Sequence, residues 1–348
     1  MDKVRIGIVG SKFAATLHAQ AYKRTPHAQI MAAASPGSGL LGFCKAHNIP
    51  SHYKDYREML EKAEIDLVDV CVPNFLHKEV VVAAAESGRH VITEKPMATT
   101  LEDADAMLEA CRRNKVKLMY AEDWIFAPAL QRTKAICDEG GIGEILYVKA
   151  KETHSGSHST FAQKIKFCGG GSMIHLGIHA IGFVRWLKAK EVVEVVGKTS
   201  GGGAKNLKLR SLEGEDWAAG ILTFEDGAFA IVEGNYITLG GMDDAVEIYG
   251  ANGLMKIDLT QGSPISVYSS NGYGYAIEKA ETTKGWTKPA VNEEWSLGYL
   301  DEISHFVDCV RLNKDPMPGV GGEDGRAALQ IVIAIYDSAK KGKSITLS

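Results

Sequence analysis

Strand-like and helix-like stretches alternate through the first third of the chain, and this alternation narrows the fold more than any other feature. Val4 to Val9 reads as a strand, Ala14 to Lys23 as a helix, Gln29 to Ala34 as a strand and Leu40 to His47 as a short helix. A buried strand follows at Leu67 to Val72, then a helix at Lys78 to Ser87 and a strand at His90 to Thr93. Leu101 to Asn114 is helical in pattern and Lys117 to Ala121 strand-like. Strands separated by helices of this length form βαβ units and pack as a parallel sheet. The chain has 348 residues, more than one core usually holds, so a second domain is expected. We place the division at 122/123, with a nucleotide-binding domain before it and a substrate-binding, self-associating domain at 123–348.

The second part changes character. Pro128 to Glu139 reads as a helix ended by Gly140, Gly141 and Gly143. Alternating or β-branched runs then occupy Leu146 to Glu152, Val192 to Lys198, Trp217 to Phe224, Ala228 to Tyr236 and Val246 to Tyr249. Asp226-Gly227 and Asn252-Gly253 stand between such runs as hairpin turns. Consecutive hairpins predict a large open sheet, mainly antiparallel. Leu300 to Val310 and Arg326 to Lys340 read as helices, the last amphipathic and expected to pack back on the first domain. The fold class is therefore α/β followed by α+β.

Composition excludes some functions. A formal net charge of -4 without a long basic run argues against nucleic acid as the main partner. No apolar run reads as a membrane span or a signal-peptide core. The six cysteines are scattered and contain no CxxC pair, which reads as reduced thiols in a cytoplasmic protein.

The chemistry gathers at strand ends. The first strand stops at Gly10, and a helix follows, the arrangement that offers helix N–H groups to a pyrophosphate. Counting a GxGxxG pattern from Gly10 puts Lys12 at the second glycine, with Phe13 and Ala14 beside it. A lysine there is expected to reach a phosphate instead. The second strand ends Ala34-Ser35-Pro36-Gly37, without the acid that marks NAD or an arginine that marks NADP, and Ser35 suits either ribose. Pro73-Asn74 and His77 follow the Leu67 to Val72 strand; His77 either lines the cofactor site or is a helix-entry histidine. Glu94-Lys95-Pro96 ends the next strand, where open α/β sheets bind ligands. Glu122 and Asp123 stand at the end of the Lys117 to Ala121 strand.

In the second part, Gly169-Gly170-Gly171 precedes His175 and His179, four residues apart and so on one face of a helix. His154 and His158 lie just upstream at a strand end. The residues between Glu152 and Phe167 are expected to line the substrate pocket.

The Gly10 turn, Pro73-Asn74-x-x-His77 and Glu94-Lys95-Pro96 at these spacings resemble the Gfo/Idh/MocA family, the group of glucose-fructose oxidoreductase and inositol dehydrogenase. The resemblance extends over essentially the whole chain. It implies an N-terminal Rossmann domain, a C-terminal α/β domain with a large open sheet, and hydride transfer between a sugar-like alcohol and NAD or NADP, with NAD favoured. It also implies pairing with further copies of the chain, as a dimer or tetramer. The family segment Gly-Gly-Gly-x-x-x-Asp-x-Gly-x-His places a catalytic Asp where His175 stands, while His179 matches the family histidine.

An alcohol needs a base to take its hydroxyl proton, and histidine suits that near neutral pH. We therefore expect a catalytic group of His179, which accepts the proton, Lys95, which hydrogen-bonds the reacting oxygen, and His175, which orients the substrate; Glu122, His154 and His158 bind substrate with His175. Lys95 and His179 would meet on one alcohol carbon. Three alternatives stay open. Glu122, His154, His175 and His179 could hold a divalent metal; the enzyme could oxidise a sugar acid and rearrange it; or the chain could be a cofactor-binding regulator without turnover.

Overall fold

The computed structural model describes residues 2–157, 159–274 and 280–347. The chain divides into two compact units, Met1–Phe126 with Gly298–Ala327, and Ala127–Leu297 with Ala328–Ser348.

In the first unit, β1 (Val4–Val9), α1 (Phe13–Arg24), β2 (Ala28–Ala34) and α2 (Leu40–His47) alternate as expected, and β3 (Ser51–Tyr53) and α3 (Tyr56–Lys62) add a strand and a helix that the sequence pattern does not announce. They continue with β4 (Leu67–Val70), α4 (His77–Glu86), β5 (His90–Thr93), α5 (Leu101–Arg113) and β6 (Leu118–Tyr120). All six strands are parallel, in the order β3-β2-β1-β4-β5-β6. This is the doubly wound Rossmann order, and its reversal between β1 and β4 opens a crevice at their carboxyl ends. Gly10 and Cys71 stand there. Strand β4 ends at Val70 and not Val72; Cys71 still donates its N–H to Val9 at 2.8 Å before the chain turns away at Pro73.

The second unit contains α6 (Pro128–Asp138), β7 (Ile145–Thr153), α7 (Ile165–Cys168) and a π-helical turn at Met173–Gly177 that runs into α8 (Ile178–Lys188). After them come β8 (Val192–Thr199), β9 (Trp217–Phe224), β10 (Phe229–Asn235), β11 (Ala245–Gly250) and β12 (Gly253–Asp258). A short ladder of β13 (Val267–Ser269) and β14 (Gly285–Thr287) and the helix α9 (Glu293–Ser296) complete this stretch. The chain then forms α10 (Tyr299–Arg311), α11 (Gly322–Lys341) and β15 (Ile345–Thr346). The main sheet has the order β12-β11-β7-β10-β9-β8-β15. Only β7 and β10 run parallel; the other neighbours are antiparallel. A parallel pair needs a long crossover, and the helical segment between β7 and β8 begins it.

Inward side chains such as Val148, Ala150, Leu222, Ala230, Val232 and Ile248 are buried, while Ile221, Phe229 and Leu254 on alternate positions are exposed. One face of this sheet is therefore covered and the other open. The stretch Ile165–Lys188 is long and apolar enough to cross a membrane by length and composition, yet 83% of its apolar 18-residue window is buried inside the protein.

Three features depart from the sequence reading. The first unit is discontinuous: Asp123 to Phe126 and Gly298–Ala327 join it, so the 122/123 division does not coincide with the compact units. Helix α11 belongs with the first unit only to Ala327; the remainder lies with the second. In the last β-hairpin, Gly250 pairs with Gly253, so the turn is Ala251-Asn252 and Gly253 opens β12.

Within the first unit α10 packs on α1. Val320 accepts the Tyr120 N–H at 2.8 Å and Gly321 bridges Met119, so the returning chain covers the open edge of β6.

Candidate active site

The cofactor side of the first unit starts at Gly10. Its φ of +133 belongs to glycine, and a Cβ there would meet the Cys71 carbonyl oxygen at 2.2 Å. The turn after β1 can thus press against the end of β4. Lys12 is extended and precedes α1 without a side-chain cap; its own carbonyl accepts the Thr16 N–H at 2.9 Å. The first amides of α1 therefore point outward from an uncapped helix start, with Phe13 55% exposed beside them. Ser35, at the end of β2, meets the Ser11 hydroxyl at 3.1 Å. Gly10 and Ser35 thus stand at the ends of the neighbouring strands β1 and β2, with Lys12, Phe13 and Ala14 at the start of α1, and an uncapped helix start of this kind fits a dinucleotide pyrophosphate.

Lys95 leaves β5 half-buried, with a cis peptide bond to Pro96. The Glu94 carboxylate accepts the Lys95 N–H at 3.1 Å. Asn74 is buried after Pro73. His77 is fully enclosed: Nδ1 lies 3.0 Å from the Pro96 carbonyl, and Nε2 lies 2.9 Å from that of Val72. Burial lowers its pKa, against the opposing influence of these carbonyls. His77 thus ties the β4 and β5 exits together. Glu122 is completely buried, and burial holds its pKa well above the usual carboxylate value despite the pull of Lys95.

The second unit assembles the histidines. The Ser172 hydroxyl donates to the Gly234 carbonyl at 2.8 Å, seating the π-helical turn on β10. The five-residue turn places His175 at its middle, and His179 follows in the first turn of α8. Such π-turns recur at functional sites. His175 Nδ1 lies 2.6 Å from the Tyr236 hydroxyl. The His154 ring stands 5.7 Å from that of Tyr236. His179 Nε2 is 3.6 Å from Glu152 Oε2, and both side chains are buried. That spacing is an ion-pair contact, longer than a hydrogen bond. Glu215 and Tyr336 hold the start of the turn. Glu215 accepts the Met173 N–H at 2.9 Å, while the Tyr336 hydroxyl accepts those of Gly171 and Ile174 at 3.3 and 3.2 Å. His158 lies outside the described residues.

Residues 4–122 match the oxidoreductase family with an NAD-binding Rossmann fold, GFO_IDH_MocA, and residues 134–347 match its C-terminal alpha/beta domain. The chain belongs to the Gfo/Idh/MocA family. It is 25% identical over 350 residues to the myo-inositol 2-dehydrogenase of Thermotoga maritima, covering 99% of this chain and 98% of that protein. It is 27% identical over 359 residues to a D-apiose dehydrogenase of Paraburkholderia graminis, covering 98% and 88%. The solved structure of GenD2 from gentamicin A biosynthesis, in complex with NAD, superposes with a TM-score of 0.91 at 23% identity over 100% of this chain and 97% of the other.

Membership of the Gfo/Idh/MocA family makes the protein an oxidoreductase acting on CH–OH groups. Tyr236, Glu215, Tyr336 and the carboxylate of Glu152 went unassigned in the sequence. Tyr236 closes a β-run, and Glu215 and Tyr336 are far apart in the chain; no spacing rule joins them to the histidines.

Proposed function

We propose that the protein is an NAD-dependent dehydrogenase that oxidises a hydroxyl-bearing carbon of a sugar, polyol or sugar acid. The observation that carries this reading is the buried pair of His179 and Glu152 at 3.6 Å. A carboxylate beside an imidazole favours its charged form, so it helps the ring take up a proton. A bound NAD would supply the hydride acceptor for the alcohol carbon. His179 removes the hydroxyl proton. Lys95 donates a hydrogen bond to the oxygen and offsets its developing negative charge. His175, held by Tyr236, orients the substrate; Glu122 and His154 are further substrate contacts, and Asn74 and Glu94 belong to the cofactor side. The inositol and apiose activities named for the relatives support a polyol or sugar substrate.

A second reading, oxidation followed by rearrangement at the adjacent carbon, is favoured by one observation. The position of the family Asp holds His175, whose Nδ1 is engaged by a tyrosine hydroxyl. We propose NAD over NADP because Ser35 and its neighbours provide no arginine for a 2′-phosphate. The open sheet face carrying Ile221 and Phe229 suits pairing with a second copy. Six free cysteines suit a reducing compartment, the cytoplasm.

The test is a screen of inositols, aldoses and sugar acids with NAD and NADP, followed through the absorbance of reduced nicotinamide. Reduction of NAD by at least one polyol or sugar is expected. Tight NADH binding with no turnover on any of them would make the protein a regulator. A ketone product rearranged at the neighbouring carbon would favour the second reading.

A further inference from the structure

Behind Lys95, within the first unit, lies a buried charged cluster that the reaction as described does not use. His18 projects from α1 and is wholly inaccessible to solvent. Its Nδ1 lies 2.9 Å from one oxygen of Asp69 on β4 and 3.1 Å from the other. Its Nε2 lies 3.1 Å from Glu94 Oε1, an ion pair off the ideal hydrogen-bond line. A neutral imidazole carries one N–H, so it would turn a lone pair toward one of these carboxylates. Only the doubly protonated ring suits both.

We propose that His18 is a positioning residue for the dehydrogenase reaction: a permanently charged imidazolium that joins Asp69 to Glu94 and, through Glu94, fixes the segment that presents Lys95. The proposal rests on Lys95 acting in the reaction.

The surroundings agree. Glu94 Oε2 takes the Lys95 N–H at 3.1 Å, so one carboxylate faces His18 with one oxygen and the lysine backbone with the other. The remaining groups around the ring are Cys71 after β4, Tyr22 on α1, and Tyr299 and Glu302 on α10. Cys71 Sγ donates to Asp69 at 3.3 Å, which favours a thiol over a thiolate. Glu302 is fully buried 4.0 Å from His18, and neither of its oxygens makes a hydrogen bond among the described residues. A buried carboxylate in that state would be very costly, so Glu302 carries its proton and no charge. The two charged carboxylates, Asp69 and Glu94, are then balanced by His18 and Lys95. Burial works to lower the pKa of His18, yet the Asp69 carboxylate reverses this and holds it well above the usual imidazole value. Burial likewise works to raise Glu94, and His18 outweighs it.

The first experiment uses the unaltered protein. Nitrogen and carbon NMR of its histidine rings, assigned through a His18→Gln control, reports the protonation of His18. A ring protonated on both nitrogens at about pH 8 is expected; a neutral ring there overturns the proposal. Turnover is then compared among variants. His18→Gln and Asp69→Asn should each lower kcat by roughly 10- to 100-fold, with the NAD dissociation constant within about 2-fold. Their pH profiles should shift in the same way, and the double variant should lose little more than either single one. Glu302→Gln, which replaces a neutral acid by a neutral amide, should leave kcat within about 2-fold.

Normal kcat and pH profile in His18→Gln, while Lys95→Ala is inactive, would overturn the role of His18 and leave that of Lys95 standing. Inactivity of neither variant would remove Lys95 itself. Should both variants at His18 and Asp69 fail to fold, the ring NMR of the unaltered protein still decides, with His18 assigned by through-bond connection of its ring to its own backbone amide. His18, Cys71 and Glu94 also bring ligand atoms close enough for a cation; a stoichiometric metal in the purified protein, lost in His18→Gln, would overturn the imidazolium.

Discussion

Tyr336 donates its hydroxyl hydrogen to Glu215 Oε1 at 2.9 Å, and the same carboxylate oxygen accepts the Met173 N–H at 2.9 Å. Residues 121 apart in sequence thereby grip the first turn of the segment that carries His175 and His179.

Removing the hydroxyl tests this grip. In Tyr336→Phe the buried N–H groups of Gly171 and Ile174 lose their acceptor, and Glu215 loses a donor. The expected loss is about 1–3 kcal/mol of stability, read as a lower denaturant midpoint at unchanged slope. An unchanged midpoint would show that the hydroxyl contributes nothing.

Glu215 also sets a pH dependence. Burial raises its pKa from 4.5 to about 7, against the lowering influence of the Met173 N–H. The folded chain therefore keeps a proton that the unfolded chain has released, and it binds more protons between those two values. Stability should decline as pH rises across that window and level off above it, by an amount on the order of 3 kcal/mol. Denaturation at about pH 5 and about pH 8 checks the sign, and Glu215→Gln should flatten the difference. Equal slopes in both proteins would mean that Glu215 is ionised throughout.

Gly171 admits no side chain. A Cβ there would meet the Glu215 carbonyl oxygen at 2.0 Å and its backbone nitrogen at 2.4 Å, and neither can swing away. Gly171→Ala should cost about 3 kcal/mol or more and abolish turnover together with stability. A thermal midpoint within about 2 °C of the parent would contradict the close approach.

Lys95→Ala should lower kcat by roughly 100- to 10,000-fold with little change in NAD affinity, since its role is in the transition state. His179→Ala should remove the pH dependence of turnover near neutrality. Kinetics over a pH series with titration of NADH binding separates the two; equal losses of binding and turnover in Lys95→Ala would mean that the lysine holds the cofactor.

Chelation is expected to leave turnover unchanged. His175 is engaged by Tyr236 and His179 by Glu152, so these imidazoles have protein partners suited to proton transfer. Dialysis against a strong chelator followed by assay decides it; activity lost and restored by a divalent ion would revive the metal reading.

Much of the Rossmann half was legible because its signals are local. Strands β1, β2, β4, β5 and β6 are apolar runs bounded by turn residues, and the position of Lys95 follows from the proline after it. What escaped notice has no local signal. Strand β3 has only three residues, and β12 alternates between exposed and half-exposed positions without an apolar face. The parallel pairing of β7 with β10 is a register that no hairpin announces. His175 and His179 were placed by their spacing, but the π-turn between them and their partners Tyr236 and Glu152 depend on where β7 and β10 end. His18 read as one polar residue in a helix; Asp69 and Glu94, which give it meaning, lie 51 and 76 positions away.

The segment that seals the edge of β6 and lays α10 on α1 is made long after the strands it completes. Residues 127–297 must all be synthesised before residues 298–327 can complete the first unit. A gene fragment ending near residue 126 should therefore yield insoluble material, and this nucleotide-binding half is not a cassette that can be cut out and grafted elsewhere.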